Sequence, residues 1–174
     1  SACAADKFNA LGQSKDCIGV HGSAAINVTA TKIVQASMGG GEQMIYSYLS
    51  TVSGNYKIFI AVSGVPLPTS PWTARVHAGF VSARKCTADG KGAKEATAGD
   101  LATFAIQARD QFSNVLTRGG FSFFVLVQDA RALRRQTCTD AGTGLYDCTY
   151  MTTIAGSLTL SISSSNAHIL GSPF

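Results

Sequence analysis

The sequence predicts an all-β chain made of two antiparallel β-sandwiches in tandem, and three observations lead to this prediction. Hydrophobic and polar residues alternate with period two along most of the chain, and no segment shows a capped hydrophobic stripe of helical period. Clusters of Gly, Asn and Asp separate the alternating runs at fairly regular intervals. Short motifs recur about one hundred residues apart, which indicates an internal repeat.

The composition agrees with short strands and turns and excludes several classes of protein. The 174 residues are 45% hydrophobic, enough for a packed core, but only 14% charged. Ser and Thr, 34 together, with 24 Ala and 18 Gly take the place of charges, a mixture that favours strands over salt-bridged helices. The net charge of +4 is shared equally by residues 1–76 and 77–174, so neither half offers the concentrated basic field of a nucleic-acid-binding protein. No apolar stretch is long enough to predict a membrane span.

The repeat has an offset of 102 in its three later matches. They relate residues 54–58 to 156–160, Tyr48 to Tyr150, and residues 70–72 to 172–174; an Asp-x-Phe motif at Asp6 and Asp110 matches with an offset near 104. We therefore expect residues 1–76 to form the C-terminal part of one repeat, truncated at its N-terminus. Residues 77–174 are expected to form a second repeat that lacks its last strand. Either the chain is an excerpt of a longer array, or strands from neighbouring chains complete each sandwich.

The strands of the second copy are predicted from its alternating runs. Residues 104–108 alternate, and residues 121–127 form a continuous apolar run, typical of a strand that is covered on both faces. Residues 146–150 and 158–162 alternate again. In the first copy, two more alternating runs occupy 24–30 and 56–62. About seven short strands per hundred residues is typical of an immunoglobulin-like sandwich.

The second copy resembles a filamin-type immunoglobulin repeat over nearly its whole length, and the first copy does so more weakly. The most specific match is the ending His-Ile-x-Gly-Ser-Pro-Phe at 168–174. The other matching residues are Ala98, Gly99, Phe104, Ile106, Ala108, Asp110, Phe112, Asn114, Gly119, Gly120, Tyr150 and Gly156. The resemblance implies a structural and binding module of the kind found in cytoskeletal crosslinkers and in extracellular adhesion proteins of plants and algae.

The resemblance also implies a place for a partner peptide, in the groove beside the third and fourth strands. The residues predicted to form this partner-strand edge are Phe121, Phe123, Val125, Arg134 and Arg135. Arg131 joins the two arginines in the one basic cluster of the sequence. The cluster is expected to be a solvated edge that blocks unwanted strand pairing. The functional alternative is a docking edge for an acidic partner or a sulfated glycan.

Two motifs have structural interpretations. Asp110 and Asn114 are expected to satisfy backbone groups of a turn, with Phe112 anchoring that turn on the core. Ser-Pro ends strand pairing because proline has no N–H to donate, and Trp72 and Phe174 are then expected to plug the bottom of each sandwich.

The cysteines predict two disulfides and one remaining thiol. Cys138 and Cys148 flank a short turn, and two antiparallel strands could bring them within bonding distance. Cys3 and Cys17 flank the Asp6 turn in the same way, which leaves Cys86 unpaired or bonded to another molecule. Five buried, reduced thiols are the alternative.

A glycosylation sequon at Asn27-Val28-Thr29 lies on an alternating run, with Asn27 expected to point to solvent and to carry an N-glycan. Together with the predicted disulfides, the sequon favours an extracellular or cell-surface location.

No catalytic, metal or cofactor site is predicted. The acidic residues are scattered, and His21, His77 and His168 lack the spacing of zinc ligands. We therefore expect a non-enzymatic module of an extracellular filament, coat or adhesion stalk, whose protein partners are neighbouring repeats or identical chains. The alternatives are a rod segment of an intracellular actin-crosslinking protein, or a carbohydrate-binding appendage that uses Trp72 or Tyr46.

Overall fold

The computed structural model describes residues 17–21, 33–36, 42–45, 49–62 and 65–174. The chain divides into two compact units, Ser1–His77 (unit 1) and Ala78–Phe174 (unit 2). Every extended element that the described ranges contain is an antiparallel strand, and their only helical elements are the three-residue 3₁₀ turns Ala83–Lys85 and Lys91–Ala93. The predicted all-β, immunoglobulin-like fold is therefore confirmed.

Unit 1 is organised around one long strand. The strands are β1 (Cys17–His21), β2 (Ile33–Ala36), β3 (Glu42–Ile45), β4 (Gly54–Val62), β5 (Val65–Pro66) and β6 (Trp72–Val76). β4 pairs with β1, β5 and β6, while β2 and β3 pair with each other. β6 continues directly from the Ser-Pro-Trp motif, and its Val76 pairs with Gly54 of β4.

Unit 2 is a sandwich of two four-stranded sheets. Its strands are β7 (Thr87–Asp89), β8 (Leu101–Gln107), β9 (Phe124–Gln128), β10 (Leu133–Gln136), β11 (Cys138–Asp140), β12 (Leu145–Met151), β13 (Thr159–Ser164) and β14 (Ala167–His168). One sheet has the order β11-β12-β8-β7 and the other the order β10-β9-β13-β14.

The core of unit 2 lies between the two sheets and is filled by alternate residues of their central strands. The buried side chains of these strands are Ala102, Phe104 and Ile106 of β8, Tyr146, Cys148 and Tyr150 of β12, Val125 and Val127 of β9, and Leu160 and Ile162 of β13. The alternation read from the sequence thus sets which face of each strand is inside. The Tyr150 hydroxyl donates to the Gly92 carbonyl at 2.7 Å, so its buried polar end is satisfied.

Each unit contains its own copy of one hydrogen bond, and the two copies are separated by the same offset as the sequence motifs. The Ser70 hydroxyl accepts from the Ile60 amide at 3.1 Å, and the Ser172 hydroxyl accepts from the Ile162 amide at 2.8 Å. The offset of 102 therefore relates side-chain contacts as well as residue types.

The residue after each Ser-Pro is a ladder partner rather than a buried plug. The amide and carbonyl of Phe174 bond to Leu160 at 2.9 and 3.0 Å, as Trp72 pairs with Ile58 in unit 1. Because the backbone is held at the sheet edge, the side chains of Phe174 and Trp72 remain 36% and 37% exposed. The prediction that they plug the sandwich was wrong.

The turn after β8 is held by a carboxylate, not by an aromatic anchor. Asp110 is 1% exposed and accepts from the amides of Phe112 and Asn114, each at 2.9 Å, from the Asn114 side chain at 2.8 Å, and from the Gly79 amide at 2.9 Å. These contacts agree with the turn role expected of Asp110 and Asn114. Phe112 itself is 52% exposed, so its predicted role as an anchor was wrong.

Candidate interaction site on the β9–β10 hairpin

The turn between β9 and β10 is built around Asp129. Asp129 Oδ1 accepts from the amides of Arg131 and Ala132 at 2.8 and 2.9 Å, and the Asp129 amide donates to the Ala132 carbonyl at 3.1 Å. Aspartate is favoured at the start of a turn because its side chain can bond to the backbone a few residues on. The sequence Gln-Asp-Ala-Arg-Ala therefore reverses the chain tightly and brings β10 alongside β9.

The second oxygen of Asp129 holds one of the two neighbouring arginines. Arg134 Nη1 donates to Asp129 Oδ2 in a salt bridge, and the Asp129 side chain is 3% exposed. The bond from Arg134, followed by the bonds from the amides of Arg131 and Ala132, lowers the pKa of Asp129 to about 2. The salt bridge of Arg134 with Asp129 therefore stabilises the hairpin.

Arg135 lies on the opposite face of β10. Its guanidinium carbon lies 4.7 Å from the centre of the Phe124 ring, a cation–π contact. Phe124 is 39% exposed and Leu133 is 61% exposed. We call Phe124, Leu133 and Arg135 the hairpin patch: two exposed apolar side chains with one cation between strands β9 and β10.

The strand order shows that the outer strand beside the predicted partner edge is β10 and not β9. β9 pairs with β10 on one side and with β13 on the other, and Val125 is completely buried. Val125 as an edge residue was therefore wrong: the apolar run places it in a central strand. Arg134 and Arg135 lie on β10, which is the outer strand of its sheet.

Phe121 and Phe123 lie before β9 and turn toward the core. The Phe121 amide donates to the Tyr146 hydroxyl at 2.9 Å, and the Phe123 ring packs edge-to-face on Tyr146 with centroids 4.8 Å apart. Both phenylalanines are partly buried against the core. Residues 121–123 therefore do not extend the strand, as the apolar run had predicted: the Phe121 amide bonds to the Tyr146 hydroxyl and not to a neighbouring strand.

The structure places Cys138 opposite Cys148 in the β11–β12 register, with their sulfur atoms 1.99 Å apart. Cys86 is free and completely buried, so it cannot reach a second molecule unless the unit opens; burial raises the pKa of its thiol against the opposing effect of the Arg109 amide. Cys17 begins β1, while its predicted partner Cys3 and the sequon residue Asn27 lie outside the described residues.

Two carboxylates that organise loops were not singled out by the sequence. Asp129 is one. The other is Asp140, which accepts from the amides of Gly120 and Gly142 at 2.6 and 2.7 Å. The bonds from Gly120 and Gly142 lower the pKa of Asp140. An aspartate next to a predicted turn is the signal that could have identified both.

Nothing in the described ranges adds a metal or membrane site. Residues 49–62 and 65–174, with the shorter described strands, contain no group of three or more His, Cys, Asp or Glu side chains able to hold a metal ion. The same residues include no helix long and apolar enough to cross a bilayer.

Comparisons with known proteins agree on the fold. Residues 81–174 match the model of the Filamin/ABP280 repeat family. The chain is 27% identical over 148 residues to Filamin-A of Drosophila melanogaster, covering 85% of this chain and 6% of that protein. It is 30% identical over 136 residues to Filamin-C of Mus musculus, covering 78% of this chain and 5% of that protein. The chain thus spans about one-twentieth of the length of these relatives.

Solved structures include similar folds. The Lin-41 filamin domain matches with 24% identity and a TM-score of 0.48, covering 55% of this chain and 93% of that one. The Escherichia coli adhesin FdeC matches with 16% identity and a TM-score of 0.50, covering 94% of this chain and 52% of that one. Since the family match covers more than half of the chain and agrees with the β-sandwich described above, this chain belongs to the filamin repeat family, whose repeats are structural and protein-binding modules rather than enzymes.

Proposed function

We propose that this chain is a tandem structural module of an extracellular or cell-surface protein, where it helps to build a filament, coat or adhesion stalk. The observation that carries the proposal is the pairing of Cys138 with Cys148 across β11 and β12, at a Cα–Cα distance of 4.3 Å. Disulfides form and persist in oxidising compartments and are rare where thiols are kept reduced. The same proposal includes an N-glycan attached to Asn27.

Such a module works by bearing mechanical load and by contacting other proteins through its surface. The buried apolar side chains of two sheets hold unit 2 together, and the bridge ties β11, an outer strand, to the central strand β12. A β-sandwich with a bridged outer strand resists fraying from that side. Exposed strand edges then offer backbone groups for contacts with partner strands.

The test is a disulfide and glycan map of the protein purified from its source under thiol-blocking conditions. We expect one peptide containing Cys138 and Cys148 that gains the mass of two hydrogens on reduction, and a glycan-dependent mass on the peptide with Asn27. Free, alkylated Cys138 and Cys148 would contradict the extracellular proposal, whereas alkylated Cys86 after denaturation is expected in either case.

A second candidate is a rod segment of an intracellular actin-crosslinking protein. The similarity to Filamin-A and Filamin-C favours this candidate. It requires reduced cysteines at 138 and 148, so the same map distinguishes the two proposals.

Contacts with neighbouring repeats or identical chains would use the segment that leads into β13, residues 156–158. A cleft of about 460 Å³ lies beside residues 156–158, and its lining includes the apolar Ile154 and Leu158 together with the charged Lys94 and Glu95. In unit 1 the matching edge of β4 is covered by β6, whose Ala74 and Val76 are half-buried while Thr73 and Arg75 are exposed. We propose that a strand from a neighbouring repeat or an identical chain pairs with residues 156–158.

The peptide Trp-Thr-Ala-Arg-Val, copied from β6, tests this contact. It should bind the chain with one-to-one stoichiometry and protect the Leu158 amide from hydrogen exchange. A peptide with Asp in place of Ala and Val provides the control. Equal protection by both peptides would contradict the proposed pairing with residues 156–158.

A further inference from the structure

We propose that unit 2 binds the surface of an anionic lipid membrane through two exposed phenylalanines, Phe80 and Phe112, and the cations near them. Such binding goes beyond the strand contacts of the proposed function and does not depend on them. Three features of unit 2 support it: the exposure of the two rings, the carboxylate that holds their backbones together, and the charge of the segments that carry them.

The two rings are unusually exposed for aromatic side chains. Phe80 is 87% exposed, the highest value of any large apolar side chain in the described residues, and Phe112 is more than half exposed. Val115, three residues after Phe112, is exposed as well. Single apolar side chains are normal on a protein surface, but a cluster of them marks a contact with a partner or a membrane. We call Phe80, Phe112 and Val115 the aromatic end of unit 2.

One carboxylate brings the two rings to the same end of unit 2. Asp110 accepts from the Gly79 amide and from the Phe112 amide, each at 2.9 Å. Val81 forms an isolated antiparallel bridge with Asp110, so Phe80 lies between two residues that both contact Asp110. A fixed backbone therefore presents both rings, and binding does not have to order a flexible loop first.

The segments that carry the rings are cationic. Residues 77–87 and 107–118 contain a single carboxylate, that of Asp110, which is buried and already accepts four hydrogen bonds. Asp140, near the end of the second segment, already accepts from two backbone amides. The cations of the two segments are Arg84, Lys85, Arg109 and Arg118. None of them belongs to an ion pair within residues 65–174.

Exposed rings beside cations that no carboxylate neutralises match the chemistry of an anionic bilayer. Aromatic side chains sit at the level of the lipid headgroups, and cations are attracted to the negative charge of the lipids. A lipid surface covers apolar side chains and neutralises cations at the same time, and it requires no shaped pocket. The contact lies on the membrane and does not cross it.

Other occupants of the aromatic end fit less well. A sulfated oligosaccharide would use the cations but leave the two exposed rings without a partner. A second copy of the chain would cover the rings, but it would bring the same four cations together across the contact, which like charges oppose.

The experiment is sedimentation of the full chain with vesicles of phosphatidylcholine that contain about 30% phosphatidylserine, compared with vesicles of phosphatidylcholine alone. We expect at least about fivefold tighter binding to the anionic vesicles, and weaker binding as the salt concentration rises. Phe80→Ser and Phe112→Ser should each weaken binding at least about fivefold, because each removes apolar surface from the bilayer. Leu133→Ser, which replaces an exposed apolar residue of β10, is the matched control and should change binding by less than about twofold.

Two pairs of substitutions separate the effect of nearby cations from that of net charge. Arg84→Gln with Lys85→Gln removes both cations of the 3₁₀ turn that begins three residues after Phe80, and it should weaken binding to the anionic vesicles at least about tenfold. Lys91→Gln with Lys94→Gln removes two exposed lysines at the other 3₁₀ turn and changes the net charge equally. We expect less than about a threefold effect of this second pair, since salt screens charges beyond about 10 Å.

Fluorescence quenching gives a readout that does not depend on the serine variants. Phe80→Trp keeps an aromatic ring, and lipids brominated on their acyl chains should quench its emission beyond the quenching of Trp72 in the natural chain. Leu133→Trp is the matched control and should show no such excess.

The proposal is overturned if the chain does not bind at about 1 mM accessible lipid, if it binds both kinds of vesicle equally, or if the control variants act as the test variants do. It is also overturned if the serine variants bind normally and only the cations matter, which is the result expected of a sulfated glycan site. A dimer of the natural chain that Phe80→Ser converts to a monomer, without vesicle binding, would overturn it in favour of a second copy. None of these results bears on the disulfide map that tests the proposed function.

Discussion

Replacing Asp110 is expected to destabilise unit 2 more than any other substitution of an aspartate in the described chain. The carboxylate accepts four hydrogen bonds, three from backbone amides and one from the Asn114 side chain, and it is 1% exposed. A hydrogen bond to a charged group contributes about 1.5–3 kcal/mol, but Phe112 is exposed and water can replace part of what its amide loses. We expect Asp110→Ala to lower the free energy of unfolding of unit 2 by about 3 kcal/mol, and Asp110→Asn, which keeps one carbonyl oxygen, by about half of that.

Hydrogen exchange followed by mass spectrometry is the suitable assay, because it reports the stability of each unit separately in a chain of two units. Peptides from β8, β9, β12 and β13 should lose protection together in Asp110→Ala. The matched control is Asp100→Ala, an exposed aspartate, for which we expect a change within about 0.5 kcal/mol. Equal effects of the two substitutions would refute the assignment of Asp110 as the residue that holds the turn and the Gly79 segment.

The Asp110 carboxylate makes the stability of unit 2 depend on pH, in a direction that follows from its lowered pKa. Burial alone raises the pKa of Asp110, but the hydrogen bonds from Asn114, Gly79 and Phe112 outweigh burial and lower it below the ordinary value of 3.8. Because the folded-state pKa is the lower one, the stabilisation is complete above the unfolded-state pKa and is lost as the pH falls through the folded-state pKa. The stability difference between the natural chain and Asp110→Asn should therefore be constant at neutral pH and shrink below about pH 4.

Three further predictions concern unit 2. Replacing Cys138 and Cys148 together by Ala should lower its free energy of unfolding by about 2.7 kcal/mol for a loop of this length, and an unchanged guanidinium midpoint would contradict the bridge. Gly119→Ala would make a Cβ clash with the Asp140 carboxylate oxygens, so the loop must move away. The pKa of Asp140, measured by carboxyl NMR titration, should then rise toward its ordinary value as the bond from the neighbouring amide is lost. Cys86 should alkylate at least about a hundredfold faster in denaturant than in the native chain, because its thiol is buried and its pKa is raised; equal rates would show that the site is open.

Much of the fold could be predicted because the core strands alternate regularly between apolar and polar residues. In β8 and β12 the apolar residues occupy every second position, and the buried face follows directly from that period. The matching endings of the two copies predicted the offset of 102, and the structure repeats it in the pairing of Trp72 with Ile58 and of Phe174 with Leu160.

The hairpin could not be predicted in the same way, because its structure depends on one side chain. The apolar run 121–127 contains no marker of where the strand begins. The structure starts it at Phe124, since the Phe121 amide donates to the Tyr146 hydroxyl and not to a neighbouring strand. The sequence showed two adjacent arginines as equivalent. The position of Asp129 makes Arg134 a structural residue, whereas Arg135 lies over the Phe124 ring.

The bridge between β11 and β12 has a consequence for a protein that is pulled along its length. The ten-residue separation between Cys138 and Cys148 would span about 35 Å in an extended chain, but the bridge fixes the two Cα atoms 4.3 Å apart. An oxidised unit 2 therefore has about 30 Å less contour length to release than a reduced one when it unravels under tension. In a series of such repeats, the redox state of one cysteine pair per repeat would set how far the whole tether can lengthen before the next repeat bears the load.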